Sequence, residues 1–253
     1  MKELRRFLRP LFRLIVEPHV KALCKETMPI FYSYENKYEG RRCFIVANGP
    51  SLRMGDLERL KKNNEITFGF NRIYALYDKT NWRPTFYIVQ DPTIIRTGID
   101  EIREQVKNSI VFVKSPGERK YDVNNAIYYN LDYRKSQKGL LPDFYNGSNC
   151  VFADGKTVVY TALQLAIYMG FSEIYLLGTD CNYSKDNSIT QESYPDPRMY
   201  DPKKVGMPAD VNYWFTAYEI AKKYAEKHGI KIYNATRGGM LEVFDRIIFD
   251  NLF

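Results

Sequence analysis

Seven short runs rich in β-branched and aromatic residues recur along the chain, and longer stretches with apolar residues at helical spacing lie between them. The runs cover residues 43–47, 66–70, 85–90, 109–114, 126–129, 173–178 and 230–233. The helical stretches cover 52–62, 94–107, 157–169 and 212–228. A chain that keeps switching between the two periods builds β-α-β units, because parallel strands need a crossover long enough to hold a helix. The pattern predicts an α/β, Rossmann-like domain: a mostly parallel sheet with helices on both faces. Residues 181–211 interrupt the rhythm. CNYSKDNSITQESYPDPRMYDPKKVGMPADV is polar, rich in Asp, Pro and Tyr, and shows neither period. Such an insertion is uncommon inside a compact domain and usually functional, so an irregular lid is expected there.

A chain of 253 residues, 45% of them hydrophobic, supports one sizeable core rather than two full domains. The expected division is a basic N-terminal extension over 1–40 and a domain over 41–253 that carries the lid. The formal net charge is +7, and residues 1–13 hold Lys2, Arg5, Arg6, Arg9 and Arg13 against Glu3. Leu4, Phe7, Leu8, Leu11, Phe12 and Ile15 share one helical face there, with the arginines opposite. That pattern fits a helix lying on an anionic membrane through residues 1–17, or one packed on its own domain or a partner subunit. Residues 18–40 read as an irregular connection. Cys24, Cys43, Cys150 and Cys181 stand far apart without a C-x-x-C pair, and no secretory segment precedes them. Reduced thiols in a cytoplasmic protein, peripheral at the inner face of a membrane, are expected. No apolar run approaches the roughly 18 residues of a membrane span.

In an open parallel sheet, ligands bind beyond the carboxyl ends of the strands. Asn48-Gly49-Pro50-Ser51 follows the first run, Asn71-Arg72 the second and Asp91-Pro92 the third. The run before the insertion ends in Thr179-Asp180, and the last leads into Asn234-Ala-Thr-Arg-Gly-Gly239. Small polar and acidic groups at one edge suit hydrogen bonding to a sugar and a base. Asn48 and Gly49 tolerate tight turning, Pro50 stiffens the loop, and Ser51 is expected to cap the next helix and offer a lean phosphate contact. The loop has neither G-x-G-x-x-G spacing nor the G-K-[ST] of a P-loop, and Asn71 stands where a nicotinamide ribose would meet an acid. A dehydrogenase and a P-loop kinase are thereby disfavoured. No basic motif interleaved with aromatics points to nucleic acid.

Ala-Asn-Gly-Pro-Ser-Leu, Gly-Phe-Asn-Arg and Thr-Ala-Leu-Gln-Leu-Ala-Ile-Tyr-Met-Gly-Phe-Ser-Glu-Ile-Tyr-Leu-Leu-Gly-Thr-Asp resemble the bacterial sialyltransferases that use CMP-activated sialic acid. They resemble more closely the MptE-like group, called after a 6-hydroxymethylpterin diphosphokinase, and the closing Ile-Tyr-Asn-Ala-Thr-Arg-Gly-Gly-Met-Leu-Glu-Val-Phe is similar to that group's C-terminal signature. The resemblance covers about residues 41–253. It implies that Asn48, Gly49 and Ser51 touch nucleotide phosphates and ribose, and that Asn71 and Asp91 line a sugar pocket. Thr157 would bind sugar or phosphate, and Asp180 would hold the cytidine ribose or position the reacting group. Tyr183, with Tyr194 or Tyr200, would stabilise a departing phosphate by hydrogen bonds that strengthen as charge develops. The sialyltransferases' lid histidine has no counterpart, since the histidines are His19 and His228, the latter beside a helix-ending glycine. A carboxylate would then accept the proton: Asp180, Asp196, Asp201 or Asp210, the last three in settings that also suit turns.

The leading expectation is a glycosyltransferase of surface-polysaccharide or glycoconjugate synthesis, moving a CMP-linked sialic or nonulosonic-type acid onto a glycan or lipid-linked acceptor. It calls for no cofactor, and self-association is left open. One alternative is ATP-dependent pyrophosphoryl transfer to a pterin, with Mg²⁺ on Asp91 and Asp180. Another is a non-catalytic nucleotide- or glycan-binding relative. Removing residues 1–17 is expected to abolish co-sedimentation with anionic liposomes and leave nucleotide binding intact; unchanged sedimentation would refute the membrane role.

Overall fold

The computed structural model describes residues 24–115, 121, 123, 125–183, 189–200 and 209–253. Nine strands form one sheet: β1 (Arg42–Val46), β2 (Thr67–Phe70), β3 (Phe86–Val89), β4 (Ile110–Lys114), β5 (Ile127–Asp132), β6 (Val151–Ala153), β7 (Glu173–Leu177), β8 (Lys231–Asn234) and β9 (Asp245–Arg246). Their order is β6-β5-β4-β3-β2-β1-β7-β8-β9, and every pairing is parallel. The chain winds outward from β1 to β6, returns across the sheet, and resumes on the other side of β1 at β7. Strand order therefore reverses between β1 and β7. The crossover helices are α2 (Met54–Lys62), α3 (Pro92–Thr97), α4 (Ile99–Gln105), α5 (Val158–Tyr168) and α6 (Val211–Lys227). Right-handed crossovers running in opposite directions put α2 to α4 on one face and α5 and α6 on the other.

The Rossmann-like architecture is as the alternation predicts. All seven expected strands are present; β6 and β9, three and two residues long, are too short to leave a periodic signature. The stretch 94–107 is two helices, broken where Gly98 takes φ −125° and ψ 26°. A larger correction concerns residues 18–40, read from sequence as irregular. Residues 24–32 are helical, and this segment, α1, is a structural part of the domain. Phe31 is fully buried, with ring centroids 4.7 Å from Tyr168, 6.0 Å from Phe152 and 6.2 Å from Phe112. The membrane-binding segment expected over 1–17 lies outside the described residues.

The helix α5 sits at the centre. Ten of its eleven residues are buried, which a helix reaches only when it is covered on all sides. Its one large polar group, Gln164, is satisfied in full by β6 and its surroundings: Oε1 accepts from Ala153 N (2.9 Å) and Tyr145 N (3.1 Å), and Nε2 donates to the carbonyls of Ala153 (3.0 Å) and Tyr160 (3.2 Å). The abundant aromatics fill both sheet faces, with Phe68, Phe86 and Phe112 in contact along adjacent strands. All four cysteines are buried and unpaired. Among the described residues, no helix is long and apolar enough to cross a membrane.

Of the insertion, residues 181–183, 189–200 and 209–211 are described; 184–188 and 201–208, with Asp201, are not. Its middle part is fastened to the 3-10 helix Asn71–Leu76 that follows β2. Arg198 ion-pairs with Asp78 (2.9 Å) and Asp196 (2.8 Å), and Asp196, almost wholly buried, also meets Lys79 at 2.7 Å. Arg72 donates to the Arg198 carbonyl at 3.4 Å. The insertion thus lies along the carboxyl edge of the sheet.

Replacing Phe31 by Ala opens a cavity among Phe112, Phe152 and Tyr168 and is expected to lower stability by about 3–5 kcal/mol in urea titration. A loss under about 1 kcal/mol would show that α1 is dispensable to the core.

Candidate active site at the strand-order reversal

The tips of β1 and β7 meet where the strand order reverses, and a short network closes the corner. Gly49 N donates to the Gly178 carbonyl at 2.8 Å, and Ala47 N to the Leu177 carbonyl at 2.7 Å. Ser51 Oγ donates to Asp180 Oδ2 at 2.8 Å. A side chain at Gly49 would place its Cβ 1.9 Å from Asp180 Oδ2 and 2.4 Å from the Gly178 carbonyl. Glycine is required here by the approach of Asp180. Gly178 itself takes φ +68°, and a Cβ on it would meet the Ala47 carbonyl at 2.6 Å.

This geometry corrects the sequence-based picture of the loop. Ser51 does not cap α2; the helix begins at Met54 with Arg53 at its cap. Two of the loop's amides are also turned inward, since Gly49 N bonds to the Gly178 carbonyl and Leu52 N to the Gly49 carbonyl. The first turn of α2 carries negative charge: Asp56 accepts from Arg53 N at 3.3 Å and pairs with Arg237. A phosphate would find few free donors here. What the corner presents instead is side-chain oxygen.

Two of those oxygens are buried without a partner. Asn48 donates through Nδ2 to the Phe70 carbonyl at 3.1 Å, next to Asn71, while its Oδ1 is unpaired. Thr179 has its backbone N–H on Thr236 Oγ1 (3.0 Å), while its own Oγ1 is unpaired. Native proteins rarely bury polar atoms unpaired, because each costs about 1–3 kcal/mol. Asp180, which follows Thr179 in the chain and bonds to Ser51 in the loop that carries Asn48, is 7% exposed. Burial pushes its pKa above the ordinary aspartate value, and the bond from Ser51 counters only part of that push.

The other expected site residues divide. Asn71 takes left-handed backbone (φ 49°), accepts from Gln90 N at 3.4 Å through Oδ1, and receives the Tyr87 hydroxyl on its carbonyl. It is held at the β2 tip beside Asn48. Asp91 is exposed and caps α3 through Thr93 N (2.7 Å), so its carboxylate is turned to its own helix. Thr157 caps α5 through Val159 N at 3.3 Å and also meets the Tyr218 hydroxyl. Tyr183 packs edge-on against Trp214 (5.6 Å) and lies in electrostatic reach of Asp180 and Tyr194. Burial drives its phenol pKa up, so it remains a hydrogen-bond donor. Tyr194 is shifted up for the same reason, with Arg72 opposing, and Tyr200 is its neighbour.

Among the remaining acids, Asp196 is held well below the usual carboxylate range by Arg198, with Lys79 assisting. Asp210 caps α6 through Tyr213 N and pairs with Lys156 at 2.6 Å. Both carboxylates are already engaged, by a helix cap and by ion pairs. Among the described residues, no three His, Cys, Asp or Glu side chains converge as a metal-binding group. Sequence reasoning missed Thr179, although it stands in the Thr179-Asp180 pair. It also missed Lys114, the lysine that ends the run VFVK. Burial lowers the Lys114 pKa, and its ammonium lies 5.7 Å from the Tyr133 ring centroid.

An aspartate that keeps its proton to higher pH when folded than when unfolded makes the native state the better proton binder. Its stability therefore falls as pH rises above the ordinary value of 3.8. Asp180→Asn removes that slope. The stability of the variant relative to the parent is expected to increase from about pH 3.8 towards neutrality in urea titrations; parallel pH curves would contradict the assignment.

The model for the family described as 6-hydroxymethylpterin diphosphokinase MptE-like matches residues 19–186. That span takes in α1 and the Asp180 corner; the C-terminal resemblance lies beyond it. No curated protein sequence matches the chain. Among solved structures, the MAf glycosyltransferase from Magnetospirillum magneticum AMB-1 is similar at TM-score 0.55 and 17% identity, over 91% of this chain and 39% of that one. The likeness is one of fold, and this chain spans 39% of that protein's length. The sialyltransferase CstII from Campylobacter jejuni, solved with the substrate analogue CMP-3FNeuAc, aligns at TM-score 0.44 and 16% identity, over 82% of this chain and 85% of that one.

Proposed function

We propose that this chain, which belongs to the MptE-like family, is a glycosyltransferase that moves an acidic sugar from a CMP-linked donor to a hydroxyl of a glycan or lipid-linked acceptor. The observation that carries this reading is the pair of buried, unpaired oxygens, Asn48 Oδ1 and Thr179 Oγ1, in the two loops that the Ser51–Asp180 bond joins at the strand-order reversal. Asn48 Oδ1 can only accept, so the corner asks its ligand for a hydrogen-bond donor there, while the Thr179 hydroxyl can donate or accept. Ribose hydroxyls and the exocyclic amine of cytosine supply that donor; a bare phosphate could meet Thr179 but not Asn48 Oδ1. The nucleoside is thus assigned to the Asn48, Gly49, Ser51 and Thr179 corner, and the sugar to the side of Asn71.

In the transfer step, the acceptor oxygen forms a bond to the anomeric carbon as the bond from that carbon to the phosphate oxygen breaks. The electron pair of the broken bond leaves with CMP, and the acceptor proton passes to a carboxylate. Asp180 suits that role because its raised pKa brings it nearer the working range of a general base, while Asp196 and Asp210 are locked in ion pairs. In this reading Tyr183, a neutral phenol because burial raises its pKa, donates to the departing phosphate, with Tyr200 as its companion.

The family description favours a second reading, pyrophosphoryl transfer from ATP to a hydroxymethylpterin. Titration calorimetry separates the two. CMP and CDP are expected to bind at least about tenfold, or 1.4 kcal/mol, more tightly than ATP and GTP. Absence of any cytidine-nucleotide binding would remove the transferase reading; ATP turnover dependent on both Mg²⁺ and pterin would establish the second.

A further inference from the structure

Beside the corner, on the side of Asn71, a groove of about 450 Å³ lies between the 3-10 helix Asn71–Leu76, the α3–α4 junction and Arg198 of the insertion. Its volume falls within the roughly 300–1,000 Å³ usual for small-ligand clefts. Several of its walls are polar groups without partners. Tyr77 is 6% exposed, and its hydroxyl is buried and unpaired. Tyr74 reaches towards Gly98, where a Cβ would come within 2.8 Å of its hydroxyl, and that hydroxyl makes no hydrogen bond among the described residues. Glu101 and Gln105 stand one turn apart on the exposed face of α4, and neither side chain is hydrogen-bonded among the described residues.

Two phenols, a carboxylate and an amide around one cleft form a set that recognises a ring bearing several hydroxyls. The carboxylate and the amide oxygen accept from those hydroxyls, the phenols donate or accept, and the tyrosine rings cover the apolar face of the sugar. The charges lining the groove offset one another, Asp78 paired with Arg198 and Glu101 set against Arg72, so the groove has no net charge with which to hold a compact anion and suits a neutral ring. The groove is also joined to the corner. Arg72 lines it and directly follows Asn71, which stands at the β2 tip next to Phe70, the residue whose carbonyl Asn48 holds.

We propose that this groove is the acceptor subsite and holds a neutral, polyhydroxylated sugar ring through Tyr74, Tyr77, Glu101 and Gln105. The inference rests on the transferase reading, since only a transferase needs a second sugar site next to its donor site. Acceptor specificity then resides in α3, α4 and the residues after β2, on the opposite side of Asn71 from the nucleotide corner.

Saturation-transfer NMR on the full chain, with methyl β-galactoside, methyl α-mannoside and methyl N-acetyl-β-glucosaminide as probes, tests the groove directly. At least one glycoside should receive saturation. The exposed double substitution Glu101→Ala, Gln105→Ala should weaken its binding at least about tenfold, and Tyr74→Phe by a smaller factor, with CMP affinity by calorimetry unchanged. No saturation of any probe, or full retention by the double variant with its melting temperature intact, overturns the proposal even when CMP binds. Glycoside binding that depends on these residues in a protein that does not bind cytidine nucleotides would sustain the sugar site and sink the transferase reading alone.

Discussion

The hydrogen bond from Gly49 N to the Gly178 carbonyl joins the two halves of the sheet at its tip, and the site is built around it. It fixes the β1 loop against the β7 loop, so Ser51 and Asp180 meet at 2.8 Å although 129 residues separate them. The closeness needs a residue without a side chain at position 49, because a methyl group would overlap the Asp180 carboxylate. Parallel pairing of β1 with β7 thus determines the chemistry of the corner. It turns two of the loop's amides inward and leaves side-chain oxygens for the ligand.

Much of the fold was legible in the sequence because parallel strands buried on both faces are continuous apolar runs, and their crossovers are long enough to show helical spacing. The elements that escaped had no period to read. β6 is held by Gln164 and β9 is only two residues long. The helix around Phe31 escaped because its buried positions face an aromatic cluster assembled from α5, β4 and β6, a context invisible to a local window.

The site was legible by position and less so by role. Composition at the strand tips located Asn48, Gly49, Ser51, Asn71 and Asp180 correctly at one edge, since the rule about carboxyl ends depends only on topology. Direction of hydrogen bonding could not be read the same way. Ser51 looked like a helix cap and bonds an acid across the sheet; Asp91 looked like a pocket wall and caps its own short helix. Asp196 and Asp210 were expected to suit turns, and both do serve as caps. Thr179 was passed over because an unpaired hydroxyl is a three-dimensional fact.

The helix α5 bears on how this molecule can vary. A segment hidden on every side has no face on which substitutions are free, and it packs on β1, β3 and β6 on one side of the reversal and on α6, which covers β8, on the other. The two halves that meet at the strand-order reversal are therefore not exchangeable modules, despite the symmetry of their winding. New specificities would have to arise at the rim, in the segments after β2 and β3 and in the insertion, where changes leave that central helix untouched.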